Sequence, residues 1–380
     1  MISAALGMTF FPANASAVIN SYHIGNSLMN DGLGSGGVTK AIETVTRSYG
    51  YDYNASYHID GAQSLHTIWN TPSGVNGIDV VESPYGTFDN ALPNYHWDHV
   101  LLEPYYGFSA TLGSDKQMIS NFINLTRTNP ANHDTTFYIY QVWPQQSGAI
   151  GGEYSSYWAG SSPNNDSTPT RARQEYYSNL MEWAHETYTL NGIAVREVPV
   201  GEVLNRLSLM IQSGELTGIE MADFYRDNIH ASANFGRYIS VVTSFATMFK
   251  QSPVGLIPPS NPVAPEIHYD PAILTPQLAD IFNHVIWDVV STDYYTGIAD
   301  FNNDGFVGTM DLTIWSNAFG VNDAGDADGD GDTDGRDFLH WQRNFRGEPL
   351  GFFAAVPEPG SVVLLCGVLG YCLSTRYSRR

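Results

Sequence analysis

Across residues 17–249, short apolar runs alternate with stretches whose apolar residues recur at helical spacing. The runs lie at 17–23, 53–59, 100–103, 136–143 and 194–200, and the helical stretches at 37–49, 64–70, 115–128, 170–190 and 203–212. Strand and helix in this alternation predict a mostly parallel sheet with helices on both faces, a three-layer α/β/α sandwich. Ligands of such sheets bind outside the carboxyl ends of the strands. Candidate chemistry is therefore sought just after each apolar run.

The first run leads into His23-Ile24-Gly25-Asn26-Ser27-Leu28-Met29, which sets a serine at a strand end before a helix. A serine hydroxyl is a weak nucleophile and needs a base within about 2.6–3.2 Å, itself oriented by a third group. Asp227-Asn228-Ile229-His230 offers an acid and a base three residues apart, just before the helical stretch 235–249. A turn serine is commonly a helix cap, and Asp-x-x-His is a common pattern, so each segment alone says little. Their order along the chain makes the pair informative.

Together the two segments resemble the SGNH (GDSL-like) hydrolase family; the resemblance covers roughly 230 residues, within a hydrolase-like domain expected at 18–296. It implies that Ser27 is the nucleophile, His230 the base and Asp227 the acid that orients it. Asp60-Gly61-Ala62-Gln63-Ser64 resembles the family block whose glycine amide binds the oxyanion, which makes Gly61 a candidate donor beside the Ser27 N–H. The third block departs from the family, which places an amide side chain where this chain has Glu103. A carboxylate donates no hydrogen bond and opposes a developing negative charge. Either the pKa of Glu103 is raised, or another donor substitutes, or the substrate is unusual.

Tyr85, Tyr95, Tyr105, Tyr106, Trp143, Tyr154, Tyr157 and Trp158 fall on expected loops at the same edge. Aromatic faces suit sugar rings, but Tyr-rich loops more often pack. His23 reads more readily as a buried strand-end histidine than as a site residue.

Charge is distributed unevenly. The chain carries a formal net charge of −22, and ten aspartates stand against the single base Arg336 between Asp300 and Asp337. Charges this dense repel unless a cation neutralises them. Asp300, Asn302, Asp304 and Asp311 occupy positions 1, 3, 5 and 12 of a calcium-type loop, with Phe306 and Gly308 at positions 7 and 9. Asp326, Asp328, Asp330, Asp332, Asp334 and Asp337 repeat the pattern in phase. After each loop, Trp315 and Phe319, then Trp341 and Phe345, stand four and eight residues beyond the last aspartate. That spacing predicts one helix per loop with an aromatic packing stripe. The duplicated unit at 297–347 resembles a dockerin-type, EF-hand-like calcium module. The resemblance implies two structural Ca²⁺ sites and a cohesin-like partner, although Thr309-Met310 and Gly335-Arg336 lack the paired recognition residues. A plain spacer that calcium rigidifies is an equal reading.

The termini suggest export. Residues 1–17 read as a secretory signal ending in small residues. Residues 355–380 carry Val356-Pro357-Glu358-Pro359, an apolar run, then Arg376, Arg379 and Arg380. They resemble a PEP-CTERM sorting tail, which implies recognition and removal by an exosortase-like enzyme. Cys366 and Cys372 both lie in that tail, so the rest of the chain has no disulfide. A Pro-rich strap is expected at 251–276, and the acidic balance argues against nucleic acid as a partner.

These readings converge on an exported, cell-surface or extracellular serine esterase that needs no catalytic cofactor. An O-acyl group on a polysaccharide is the expected substrate. The alternative is a non-catalytic glycan-binding or structural surface protein on the same fold.

Overall fold

The computed structural model describes residues 18–30, 37–74, 80–81, 84–104, 110–146, 153–188, 191–256 and 269–345. The expected signal at 1–17, the tail at 355–380, Tyr105 and Tyr106 lie outside them.

Five parallel strands form the sheet: β1 (Ile19–Gly25), β2 (Tyr53–Ile59), β4 (His99–Leu102), β5 (Thr136–Tyr140) and β6 (Val195–Val198). A two-residue edge strand, β3 (Val80–Val81), adds to β2 antiparallel, and the order is β3-β2-β1-β4-β5-β6. β1 therefore lies inside the sheet with β2 and β4 beside it, so the loop after it is flanked on both sides.

Successive strand residues face opposite layers. Tyr22 donates its hydroxyl to Gly86 O and packs on Trp97, whereas His23 turns the other way to Thr39 of α2 (Gly37–Ser48). Two helical layers follow. On the His23 side, α2 packs on α9 (Gly236–Phe249), which in turn meets α8 (Val200–Ser213) and α10 (Pro276–Thr292). On the other side, α3 (Leu65–Asn70) and α4 (Phe88–Asn94) pack on α5 (Leu112–Thr126), and α5 on α7 (Gln174–Tyr188). All residues of α9 from Gly236 to Met248 are buried, because the helix is covered by the sheet on one face and by helices on the other. The three-layer α/β/α class is thus the observed one.

Differences from the expected elements are local. β1 runs two residues further than the apolar run suggests, ending at Gly25. Neither β3 nor α4 nor the short α6 (Tyr154–Trp158) carries a periodic signal of useful length.

The paired-loop region folds onto this body. Each loop leads into one helix, α11 (Thr309–Ala318) and α12 (Gly335–Asn344). Gly305 and Gly331, sixth in their loops, have φ of 89° and 92°, the left-handed region that glycine enters at no steric cost. Trp315 and Trp341 each donate an indole N–H to the opposite loop, at Asp334 O and Gly308 O. α12 rests on α10, where His340 and Asn344 bond Ser291 O. At the base of the sheet, Arg196 of β6 makes a 2.7 Å ion pair with Asp300, and both side chains are buried. Lys250 adds hydrogen bonds to Asp300 O and Asn303.

Candidate active site

Ser27 opens α1 (Ser27–Asn30), immediately beyond Gly25 and Asn26 at the carboxyl end of β1. The turn is held from within. The buried Asn26 side chain accepts the Leu28 N–H through Oδ1 at 2.9 Å and donates through Nδ2 to Gln63 O at 3.2 Å. As the first residue of α1, Ser27 presents an N–H with no intrahelical acceptor.

His230 reaches this serine from 203 positions away, with Nε2 2.9 Å from Ser27 Oγ. Its Nδ1 lies 2.9 and 2.8 Å from the two oxygens of Asp227. Hydrogen bonding on Nδ1 by the carboxylate leaves Nε2 as the nitrogen that accepts from the serine hydroxyl. Asp227 also accepts the backbone N–H groups of Ile229 and His230 at 3.0 and 2.9 Å, and Arg226 lies 3.3 Å away. Partial burial would raise the Asp227 pKa, but the bonds from His230 and Ile229 outweigh it and hold the carboxyl well below the ordinary carboxylate range. The acid is therefore charged at neutral pH. Its side chain is 45% exposed, so solvent screens the His230–Asp227 attraction.

The segment that carries His230 is braced by residues that follow β5. Trp143 donates Nε1–H to Ile229 O at 2.6 Å, Gln146 N–H donates to Asn228 O at 2.8 Å, and Tyr225 OH donates to Pro144 O at 2.7 Å. These bonds fix an irregular loop against the sheet edge. Sequence reasoning does not find them, because they join segments some eighty residues apart.

Gly61 sits in the turn after β2, tied to the nucleophile turn by the Asn26–Gln63 bond and by Asp60 N–H to Gly25 O at 3.0 Å. Glu103 follows β4 and is 1% exposed. Its Oε2 accepts the Asn26 N–H at 3.0 Å. Among the described residues, Oε1 has no hydrogen-bond partner. Burial pushes its carboxyl up to about 8, against hydrogen bonds from the Asn26 and Met29 backbone and from the Asn26 side chain, which favour the charged form. Glu103 is thus a mostly neutral acid near pH 7, the first of the alternatives its position raised.

Most of the edge aromatics pack. Tyr85, Tyr95 and Trp97 form an edge-on cluster. Trp143, Tyr154 and Trp158 are buried, and Trp158 bonds Glu202. Tyr157 is stacked by Arg173. His23 is buried between Ser21 and Thr39, and burial, then His99 and Lys40, push its pKa down to about 3, so it stays neutral.

The two acidic loops differ. In the second, Asp326, Asp328 and Asp330 bring carboxylate oxygens within 4.8 Å of one another, as do Asp332, Asp334 and Asp337. Such oxygen-only groups fit a hard divalent cation. Asp328 is pushed up to about 6 by burial and by Asp337 and Asp330, the repulsion a bound cation relieves. In the first loop, Asp300 accepts from Arg196 and from the Asp304 and Gly305 amides, while Asp311 accepts from Phe301, Asn302 and Gly308. The Gly308 carbonyl at position 9 accepts the Trp341 indole N–H.

Fold and geometry define the class: an α/β protein with a hydrogen-bonded Ser–His–Asp set at the carboxyl edge of its sheet. The chain belongs to the family described as Domain of unknown function (DUF4886), whose match spans residues 73–266 and so includes Glu103, Asp227 and His230. Among solved structures it is similar to a DUF4886 family protein from Bacteroides uniformis, at 17% identity and TM-score 0.45, over 72% of this chain and 95% of that one. It is also similar to a protein of Bacteroides fragilis provisionally described as an acylhydrolase (12% identity, TM-score 0.33, 60% and 85% coverage). A GDSL-like lipase from Bacteroides thetaiotaomicron shows 10% identity, TM-score 0.32, and 60% and 86% coverage. No curated protein matches the chain.

Proposed function

We propose that this chain is a serine hydrolase of SGNH type that cleaves an ester. The observation that carries this reading is the continuous chain of hydrogen bonds from Ser27 Oγ through His230 to Asp227. In the reaction, His230 Nε2 takes the Ser27 proton as Oγ attacks the ester carbonyl. The tetrahedral intermediate places its oxyanion against the N–H groups of Ser27 and Gly61. His230 then delivers the proton to the leaving alcohol, the acyl-enzyme forms, and water activated by the same imidazole releases the acid. Asp227 stabilises the imidazolium formed in each half. No cofactor enters these steps.

The substrate in this proposal is an O-acyl group on a polysaccharide, and the protein is exported. The resemblance of residues 297–347 to calcium modules of glycan-degrading systems supports the first point, and the sorting-like sequence at 355–380 the second. Calcium is held by the second loop through Asp326, Asp328, Asp330, Asp332, Asp334 and Asp337, a reading supported by the two trios of neighbouring carboxylates, Asp326/Asp328/Asp330 and Asp332/Asp334/Asp337. The first loop offers Asp300, Asn302, Asp304, Phe306, Gly308 and Asp311 to a second ion. An exosortase-like enzyme on the tail and a cohesin-like partner for the loop module complete the proposal.

The test is covalent labelling with a fluorophosphonate together with hydrolysis of 4-nitrophenyl acetate. Wild type labels and turns over, and Ser27→Ala does neither. A wild-type protein inert in both assays would favour the non-catalytic glycan-binding reading.

A further inference from the structure

We infer that Glu103 is a positioning residue for Ser27, filling the space under the Gly25–Asn26 turn and holding the Asn26 amide so that the nucleophile stands in one place. The inference rests on the serine-hydrolase reading. It departs from the role expected for this position, because a side chain that is 1% exposed beneath the turn acts through Asn26 rather than on substrate.

Four observations support it. Glu103 is locked to the neighbouring strand, its own N–H bonding Ile24 O at 3.0 Å. Its Oε2 takes the Asn26 N–H at 3.0 Å, one residue before Ser27. Gly25 leaves the room this requires. A Cβ built there would stand 2.8 Å from Glu103 Cβ and overlap the carboxyl group, so Gly25 and Glu103 fit as a pair. Finally, the Asn26 side chain passes the constraint on, to the Leu28 N–H inside α1 and to Gln63 O in the turn that holds Gly61. One buried carboxyl thus steadies both the nucleophile and the segment with the proposed oxyanion donor.

A carboxyl is tolerated there as the neutral acid, whose burial costs far less than burial of an ion. Burial raises the pKa of the buried Tyr177 of α7 and the Glu103 carboxyl adds to that, while the hydrogen bond from the Val142 N–H opposes it. Glutamine has the shape and the acceptor of the neutral acid and does not ionise. Alanine has neither.

The experiment compares full-length wild type, Glu103→Gln, Glu103→Ala and Ser27→Ala. It reads kcat and KM for 4-nitrophenyl acetate across pH and hydrogen exchange of the segment 25–29. Glu103→Gln is expected to keep kcat within about threefold at pH 6–7 and to lack the decline that ionisation of Glu103 is expected to give wild type above about pH 8. Glu103→Ala is expected to lose about 100-fold in kcat with KM little changed, the scale of a misplaced nucleophile, and to exchange its Asn26 and Leu28 amides faster. Wild-type kcat and exchange in Glu103→Ala would overturn the inference, and so would a Glu103→Gln as impaired as the alanine variant. Should Glu103→Ala not fold, Glu103→Gln decides alone, and an unchanged alkaline limb overturns it. A wild type that neither labels nor turns over would end the hydrolase reading, while exchange at Asn26 would still decide whether Glu103 holds the turn.

Discussion

Trp341 donates its indole N–H to Gly308 O in the first loop at 2.8 Å, and Trp315 makes the matching bond to Asp334 O in the second at 2.9 Å. Each helix is thereby pinned to the loop it does not follow, and Trp315, Phe338 and Trp341 stack between them. Two repeats of sequence become one two-fold unit.

Calcium should therefore act on that unit as a whole. At a calcium concentration of 100 times Kd the folded state gains about 2.7 kcal/mol, seen as a higher Tm. Chelation reverses it, and Asp337→Asn abolishes the response. Equal melting with calcium and with chelator would refute the site.

The Arg196–Asp300 pair joins the loops to β6 with 4% and 0% of the two side chains exposed. Removing one partner strands a buried charge, so Arg196→Ala should cost about 3–5 kcal/mol in denaturant unfolding. A loss below about 0.5 kcal/mol, the size of an ordinary surface substitution, would mean the pair carries no weight.

Asp227→Asn keeps the shape of the acid but removes the charge that stabilises the imidazolium and fixes its tautomer. A fall in kcat of roughly 10³–10⁴-fold is expected, with fluorophosphonate labelling slowed in parallel. Undiminished turnover would show that His230 needs no carboxylate charge to orient it.

Glu103 also predicts how stability depends on pH. Its folded pKa of about 8 lies above the ordinary 4.5, so between these values the unfolded chain has released a proton that the folded protein retains. The contribution of Glu103 is fully present below about 4.5 and is lost as pH rises, by up to about 1.4 kcal/mol per unit, until it levels above about 8. Asp115, raised to about 7 by burial, adds its own slope, so the measurement is wild type minus Glu103→Gln in urea titrations across this range. Parallel curves would contradict a buried neutral Glu103.

Much of this was legible in the sequence where local chemistry is decisive. The run Tyr53–Ile59, bounded by Asp52 and Asp60, is β2 to the residue. Ser27, Asp227 and His230 stand out because few residue types can attack, accept a proton or orient a base, and sheet topology limits where they sit. What the sequence withheld depends on register between distant segments. The antiparallel β3 exists only through the pairing of Val80 and Val81 with Ile59 and His58. The bond from Asn26 to Glu103 arises because β4 lies beside β1, and Arg196 meets Asp300 across 104 positions. Periodicity carries no trace of such contacts.

The distance along the chain between Ser27 and His230 has a kinetic corollary. A contact between residues 203 positions apart closes a long loop, and such contacts form after local ones have paid their entropy. Strands β2, β4, β5 and β6 all enter the sheet within that interval. If Ser27 is the nucleophile proposed above, the return of its reactivity during refolding is expected late, and covalent labelling of Ser27 would time the completion of the whole sheet rather than the appearance of any single helix.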